Sequence, residues 1–137
     1  MEGPIHAADE AFRLAFERGE IPNDAFHHRD HLRLAWIYLR ELGPDAAAVR
    51  VSDGIRRYAE YHAAGARYHE TLSRAWVRIV ALAVAETPGA GAFDELLSLR
   101  PHLLDKKLPL KHYSAATLWG KIARERWIEP DLQPFPA

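Results

Sequence analysis

Apolar residues recur at helical spacing along most of the chain, and the few alternating apolar and polar runs are too short for strands. Near the start of the chain, the i, i+3, i+4, i+7, i+8 positions are Ala8, Ala11, Phe12, Ala15 and Phe16. A period of about 3.6 residues is typical of a helix with one buried face. The sequence therefore predicts an all-α fold.

Glycine and proline divide this pattern into five or six helices. The predicted helices cover residues 5–18, 28–42, 45–63, 69–86, 92–99 and 115–127. Gly19, Gly43-Pro44 and Gly65 mark helix ends, and Ser114 is a favourable N-cap for the last helix. We expect a single domain over residues 1–137, with a four-helix core, short C-terminal helices and an extended proline-rich tail that lies against them.

The composition limits the class of protein. A chain of 137 residues with 48% hydrophobic and 27% charged residues is typical of one soluble globular domain. The net charge of −1 provides no single-sign field for nucleic acid or an anionic membrane, and neither a membrane span nor a signal peptide is evident. We therefore expect a cytoplasmic protein, without nucleic-acid or membrane partners, and the sequence leaves a homodimer as one alternative for its assembly. Because cysteine is absent, a metal site must use nitrogen and oxygen ligands.

Histidines in two segments indicate a functional site. By helical phase, His28 and His31 share the apolar stripe of the helix over 28–42, and His69 lies on the stripe of the helix over 69–86. Three neutral imidazoles on two facing helices can bind a divalent transition metal and leave one coordination position open. We predict zinc or iron at these three residues.

Two carboxylates adjoin the predicted ligands. Asp30 and Glu70 are candidate catalytic residues, because each could complete the ligand set, orient an imidazole or transfer a proton. The phase of Glu70, however, places it in line with Arg74 and Arg78, unless Thr71 is the N-cap of its helix.

Further side chains are candidates for binding a small-molecule substrate. Arg33 and Arg67 could hold a carboxylate in the bidentate geometry that arginine favours, although solvent-facing positions explain them equally well. Tyr68 lies beside His69, and Tyr113 could bring a donor over the mouth of the site. The tryptophans occur at core spacing, and we interpret all four as packing residues: Trp36, Trp76, Trp119 and Trp127.

Common catalytic motifs are absent from the sequence. It contains no glycine-rich phosphate loop, no His-Glu-x-x-His, no Glu-x-x-His pair and no Gly-x-Ser-x-Gly. The sequence therefore indicates a site more clearly than it indicates a reaction.

Several segments resemble a small family of uncharacterised bacterial helical proteins. The segments are 26–36 (FHHRDHLRLAW), 68–71 (YHET), 103–105 (LLD), and the closing Ala123-Arg124 to Pro130-Asp131-Leu132. The resemblance covers nearly the full chain and implies a self-contained domain in which the two histidine-rich segments belong together. A looser, architectural likeness links the chain to DinB-like four-helix bundles with three histidine ligands. Their usual late His-x-x-x-His pair has no counterpart here.

Three hypotheses follow from these patterns. The first is a metal-dependent enzyme, hydrolytic or oxidative, with the metal held by His28, His31 and His69. The second is a metal-free small-molecule site in which histidine and arginine perform acid–base chemistry or bind an anion. The third is a non-enzymatic binding or interaction module whose histidines are structural.

Overall fold

The computed structural model describes the backbone of residues 4–136 and the side chains of residues 6–136. This part of the chain forms seven α-helices and no strand, which confirms the predicted all-α fold. The helices are α1 (Pro4–Glu17), α2 (His28–Leu42), α3 (Pro44–Tyr61), α4 (Glu70–Ala85), α5 (Phe93–Leu99), α6 (Ala115–Leu118) and α7 (Lys121–Glu125). None of these described helices is long and apolar enough to cross a membrane.

Helices α2, α3 and α4 pack against one another and form the core of the bundle, and α2 contacts both of the others. Its buried side chains occupy six of seven consecutive positions: Leu32, Leu34, Ala35, Trp36, Ile37 and Tyr38. The buried surface is therefore much wider than the single stripe that the sequence predicted. Helix α1 packs on this core through Phe16, which is 1% exposed. Ala8 and Ala11 lie on the exposed side of α1, so the predicted burial of these two alanines is wrong.

The predicted helix over residues 115–127 is divided into α6 and α7. Gly120 adopts an extended conformation between them, and a Cβ atom at this position would lie 3.2 Å from the carbonyl oxygen of Ala116. The interruption changes the phase of the helix. Leu118 is buried, whereas Trp119 is 53% exposed, so the interpretation of Trp119 as a core packing residue is wrong.

Short 3-10 turns connect the helices, and the C-terminal tail lies against the body as predicted. Between α5 and α6, two such turns bury Leu103 and Leu108, so this connector packs against the core. Thr71 at the start of α4 fixes the tail, because its hydroxyl donates to the carbonyl of Arg126 and accepts from the amide of Ile128.

Candidate functional site

The three histidines singled out by helical phase line one cavity of about 510 Å³, bounded mainly by α2, α3 and α4. His28 and His31 reach it from the first turn of α2, and His69 reaches it from the residue before α4. The deep wall consists of buried side chains, among them Ala35, Val51, Ile55, Tyr58 and Val77. The histidines therefore share an environment in which polar groups are partly removed from water.

His69 is the N-cap of α4, and both of its ring nitrogens have partners. Nδ1 accepts a hydrogen bond from the Leu72 amide at 3.0 Å, and Nε2 lies 2.7 Å from the Leu118 carbonyl oxygen. Because a carbonyl only accepts, the proton must be on Nε2 and the ring is neutral. Burial lowers the pKa of His69, in agreement with this assignment.

His28 has one partnered ring nitrogen. Its Nε2 lies 3.0 Å from the carbonyl oxygen of Leu103 and therefore donates to it. The ring meets Trp76 edge-on, with 4.5 Å between the centroids. Burial lowers the pKa of His28, and the nearby charge of Lys106 lowers it further. The neutral ring keeps an acceptor lone pair on Nδ1.

Of the three cavity histidines, His31 alone makes no side-chain hydrogen bond to a described residue. Its ring packs against Phe26 at a centroid distance of 4.4 Å. Burial lowers the pKa of His31 to about 4, so the ring is neutral at pH 7. A neutral imidazole carries one donor and one acceptor, and neither has a partner among the described residues.

Among the residues that the structure describes, no three His, Asp or Glu side chains are arranged to hold a metal ion. His69 would have to break its bond to the Leu72 amide or to the Leu118 carbonyl before it could become a ligand. The geometry favours hydrogen-bonding imidazoles over a three-histidine metal centre. The zinc or iron site at His28, His31 and His69 stays a prediction.

Asp30 is a capping residue in this structure. Its Oδ2 accepts a hydrogen bond from the His27 amide at 2.9 Å, at the first turn of α2. A carboxylate is favoured there by the helix dipole as well as by the hydrogen bond. Asp30 is not among the residues that line the cavity.

Glu70 lies in a buried charge cluster next to the cavity. It is 5% exposed and accepts hydrogen bonds from the Tyr68 hydroxyl at 2.5 Å and from Arg56 at 2.9 Å. Arg74 completes the cluster, with Nε 2.7 Å from Oε2. Burial alone would raise the pKa of Glu70, but these partners together lower it below its usual value. The carboxylate is a structural ion-pair partner, outside the cavity lining.

The structure tests three predictions about helix α4. The predicted alignment of Glu70 with Arg74 is confirmed by their ion pair. Arg78 was predicted to lie in line with Glu70 as well. Its ion pair is instead with Asp45, at 2.7 Å. Thr71 was considered as the N-cap, and this is wrong because His69 occupies that position.

The predicted substrate-binding residues divide into two groups. Arg67 and Tyr68 line the cavity. Arg33 lies between α1 and α2, where Nε and Nη2 bind one carboxylate oxygen of Asp9 at 3.1 and 3.0 Å. Tyr113 is fully buried, and its hydroxyl donates to the Ile128 carbonyl at 2.6 Å. The structure therefore places Arg33 and Tyr113 in packing roles away from the cavity.

Sequence reasoning missed Lys106, Phe26 and the cavity-facing role of two tryptophans. Lys106 comes from the irregular connector after α5, where no periodicity predicts the direction of a side chain. Trp76 and Trp119 line the cavity, although core spacing suggested packing alone. Arg67 and Lys106 are exposed and have no ion pair with any described residue, so they give the cavity mouth a positive charge.

A second cavity of about 510 Å³ lies between α1 and α2. Its lining side chains are His6, Asp9, Glu10, Arg13, Ile37, Arg40 and Glu41. Arg13 pairs there with Glu10, and Asp9 pairs with Arg33. Because opposite charges already neutralise one another here, this groove offers less to a ligand than the histidine-lined cavity does.

No protein-family model, no curated protein and no solved structure matches this chain. The two resemblances drawn from the sequence stay predictions.

Proposed function

We propose that the histidine-lined cavity binds a small organic anion without a resident metal ion. The observation that carries this proposal is the charge of the cavity lining. Arg67 and Lys106 line the cavity and form no ion pair with any carboxylate in the described part of the chain, and no Asp or Glu is among the described lining residues. An anion would supply the missing countercharge.

The neutral imidazoles supply hydrogen bonds. His31 offers a donor and an acceptor, and His28 offers the Nδ1 acceptor. Because these rings are neutral, they suit uncharged polar groups of a bound molecule, while Arg67 and Lys106 suit its anionic group.

Isothermal titration calorimetry with benzoate and octanoate as probes, in the presence of EDTA, tests the proposal. We expect at least one carboxylate to bind, and we expect the Arg67→Met/Lys106→Met double variant to bind it about tenfold or more weakly. Lys107→Met is the matched control, because Lys107 is the exposed neighbour of Lys106 and does not line the cavity.

Two results would overturn the proposal: binding that appears only when zinc or iron is added, and unchanged binding by the double variant. The first result would favour the metal-dependent enzyme predicted from the sequence. In that case His69 would have to exchange a backbone hydrogen bond for the metal.

A further inference from the structure

Aromatic side chains form much of the cavity wall. Five carbocyclic or indole rings line it, in addition to the three imidazoles: Phe26, Tyr58, Tyr68, Trp76 and Trp119. Several of these rings are in contact with one another, including Phe26 with Tyr58 at a centroid distance of 4.7 Å and His28 with Trp76 at 4.5 Å. Rings at such distances favour offset or edge-on packing with a further ring.

The polarity of the cavity changes from its floor to its mouth. Ala35 and Val51 on the floor are each 2% exposed, and Val77 is fully buried. The cationic side chains, Arg67 and Lys106, are exposed. A ligand that matches this gradient has an apolar end that enters the cavity and an anionic end that stays at the mouth.

The charges of the lining exclude an organic cation as the ligand. Besides the histidines, tyrosines and two cations, the lining side chains that carry a polar group are Asn23, Ser73, Trp76 and Trp119. The Ser73 hydroxyl already donates to the carbonyl oxygen of His69. An organic cation would meet two positive charges and no carboxylate among the described lining residues.

We infer that the ligand is an aromatic carboxylate, with its ring among the aromatic side chains of the wall and its carboxylate at Arg67 and Lys106. This inference rests on the proposed function and specifies its ligand class. The volume of about 510 Å³ lies within the range of about 300 to 1,000 Å³ that is usual for small-molecule sites. A fused two-ring carboxylate is therefore a suitable probe.

Calorimetry with four probes in EDTA separates the contributions of ring and charge. The probes are 2-naphthoate, its neutral amide 2-naphthamide, octanoate and cyclohexanecarboxylate. We expect 2-naphthoate to bind at least about fivefold more tightly than each of the other three, because it alone combines the aromatic rings with the charge. Arg67→Met and Lys106→Met should each weaken its binding about threefold to fivefold, as expected for one exposed ion pair. Lys107→Met should leave its affinity unchanged.

The outcomes distinguish this inference from the function on which it rests. If octanoate or cyclohexanecarboxylate binds as tightly as 2-naphthoate, the anion site stands and the aromatic ligand class is wrong. Equal binding of 2-naphthamide would mean that the charge is irrelevant, and both proposals would fail. If no carboxylate binds in EDTA, the proposed function itself is wrong.

Discussion

The Nε2 atom of His69 lies 2.7 Å from the carbonyl oxygen of Leu118. Because Nδ1 of the same ring accepts from the Leu72 amide, this single neutral imidazole joins the first turn of α4 to the end of α6. The residue after Leu118 is Trp119, which lines the cavity and meets the His69 ring edge-on at 6.0 Å. His69 thus joins the cavity wall to the C-terminal segment, as Thr71 does through Arg126 and Ile128.

Replacing His69 should destabilise the fold. His69→Ala removes an N-cap and leaves the Leu118 carbonyl without its donor, so we expect the free energy of unfolding to fall by about 2 to 4 kcal/mol. His69→Asn is the matched control, since asparagine caps helices well and should recover about 1 kcal/mol without restoring the bond to Leu118. Urea denaturation measures both variants. An alanine variant within about 0.5 kcal/mol of the wild type would contradict the structural role.

Stability should decrease as the pH falls from 7 to 4. Burial lowers the folded-state pKa of His28, His31 and His69, whereas the unfolded chain takes up protons near the ordinary value of about 6.5. The stabilisation by neutral rings is therefore complete above about pH 6.5 and is lost as the pH falls toward the lowered values. With a pKa of about 4, His31 alone contributes on the order of 3 kcal/mol to this loss. Urea denaturation at stepped pH should give a shallower dependence for His31→Gln, and an identical slope would contradict the burial of a neutral ring.

Replacing Arg33 or Arg67 by methionine should affect different properties of the protein: stability for Arg33 and carboxylate affinity for Arg67. Arg33→Met removes the ion pair to Asp9, and we expect the free energy of unfolding to fall by about 1 kcal/mol with carboxylate affinity unchanged. Arg67→Met should weaken carboxylate binding about threefold to fivefold and change stability by less than about 0.5 kcal/mol. Calorimetry and urea denaturation of both variants test the assignment, and loss of affinity in Arg33→Met would contradict it.

Glu70 should be needed for stability. Glu70→Gln replaces a buried carboxylate that Tyr68, Arg56 and Arg74 surround, and we expect a loss of about 1 to 3 kcal/mol. Asp53→Asn is the control, because Asp53 pairs with the same Arg56 at 3.4 Å on an exposed surface and should cost less than about 0.5 kcal/mol. The folded-state pKa of Glu70 is lowered, so its contribution is present above the ordinary carboxyl pKa and is lost as the pH falls through the lowered one. Equal stability of the two variants would show that the buried cluster contributes nothing.

Most of the fold follows from local sequence signals. The predicted range 28–42 of α2 is found unchanged, because Gly43-Pro44 ends it and Asp30 caps its first turn. The prediction of one helix over residues 115–127 is wrong, because the spacing of apolar residues does not encode the backbone conformation of Gly120. Gly120 adopts an extended conformation that interrupts an otherwise helical pattern, and a Cβ atom at this position would lie 3.2 Å from the carbonyl oxygen of Ala116.

The site was predictable only in part. Helical phase placed His28, His31 and His69 toward a common interior because that phase depends on local spacing. Their roles depend on hydrogen bonds to carbonyl oxygens 75 and 49 residues away, at Leu103 and Leu118, which no local pattern encodes. For the same reason the sequence did not predict that His69 caps α4 or that His28 and His69 donate to backbone carbonyl oxygens.

The most direct test of the central claim is long-range ¹⁵N–¹H NMR of the histidine rings while 2-naphthoate is titrated in EDTA. In the free protein we expect His69 to have its proton on Nε2 and His31 to be neutral at pH 7. On titration, the nitrogens of His28 and His31 should shift to saturation, while the His69 nitrogens keep their tautomer. Ring nitrogens of His28 and His31 that stay unchanged at saturating ligand, or that shift only after zinc or iron is added, would contradict a metal-free anion site in this cavity.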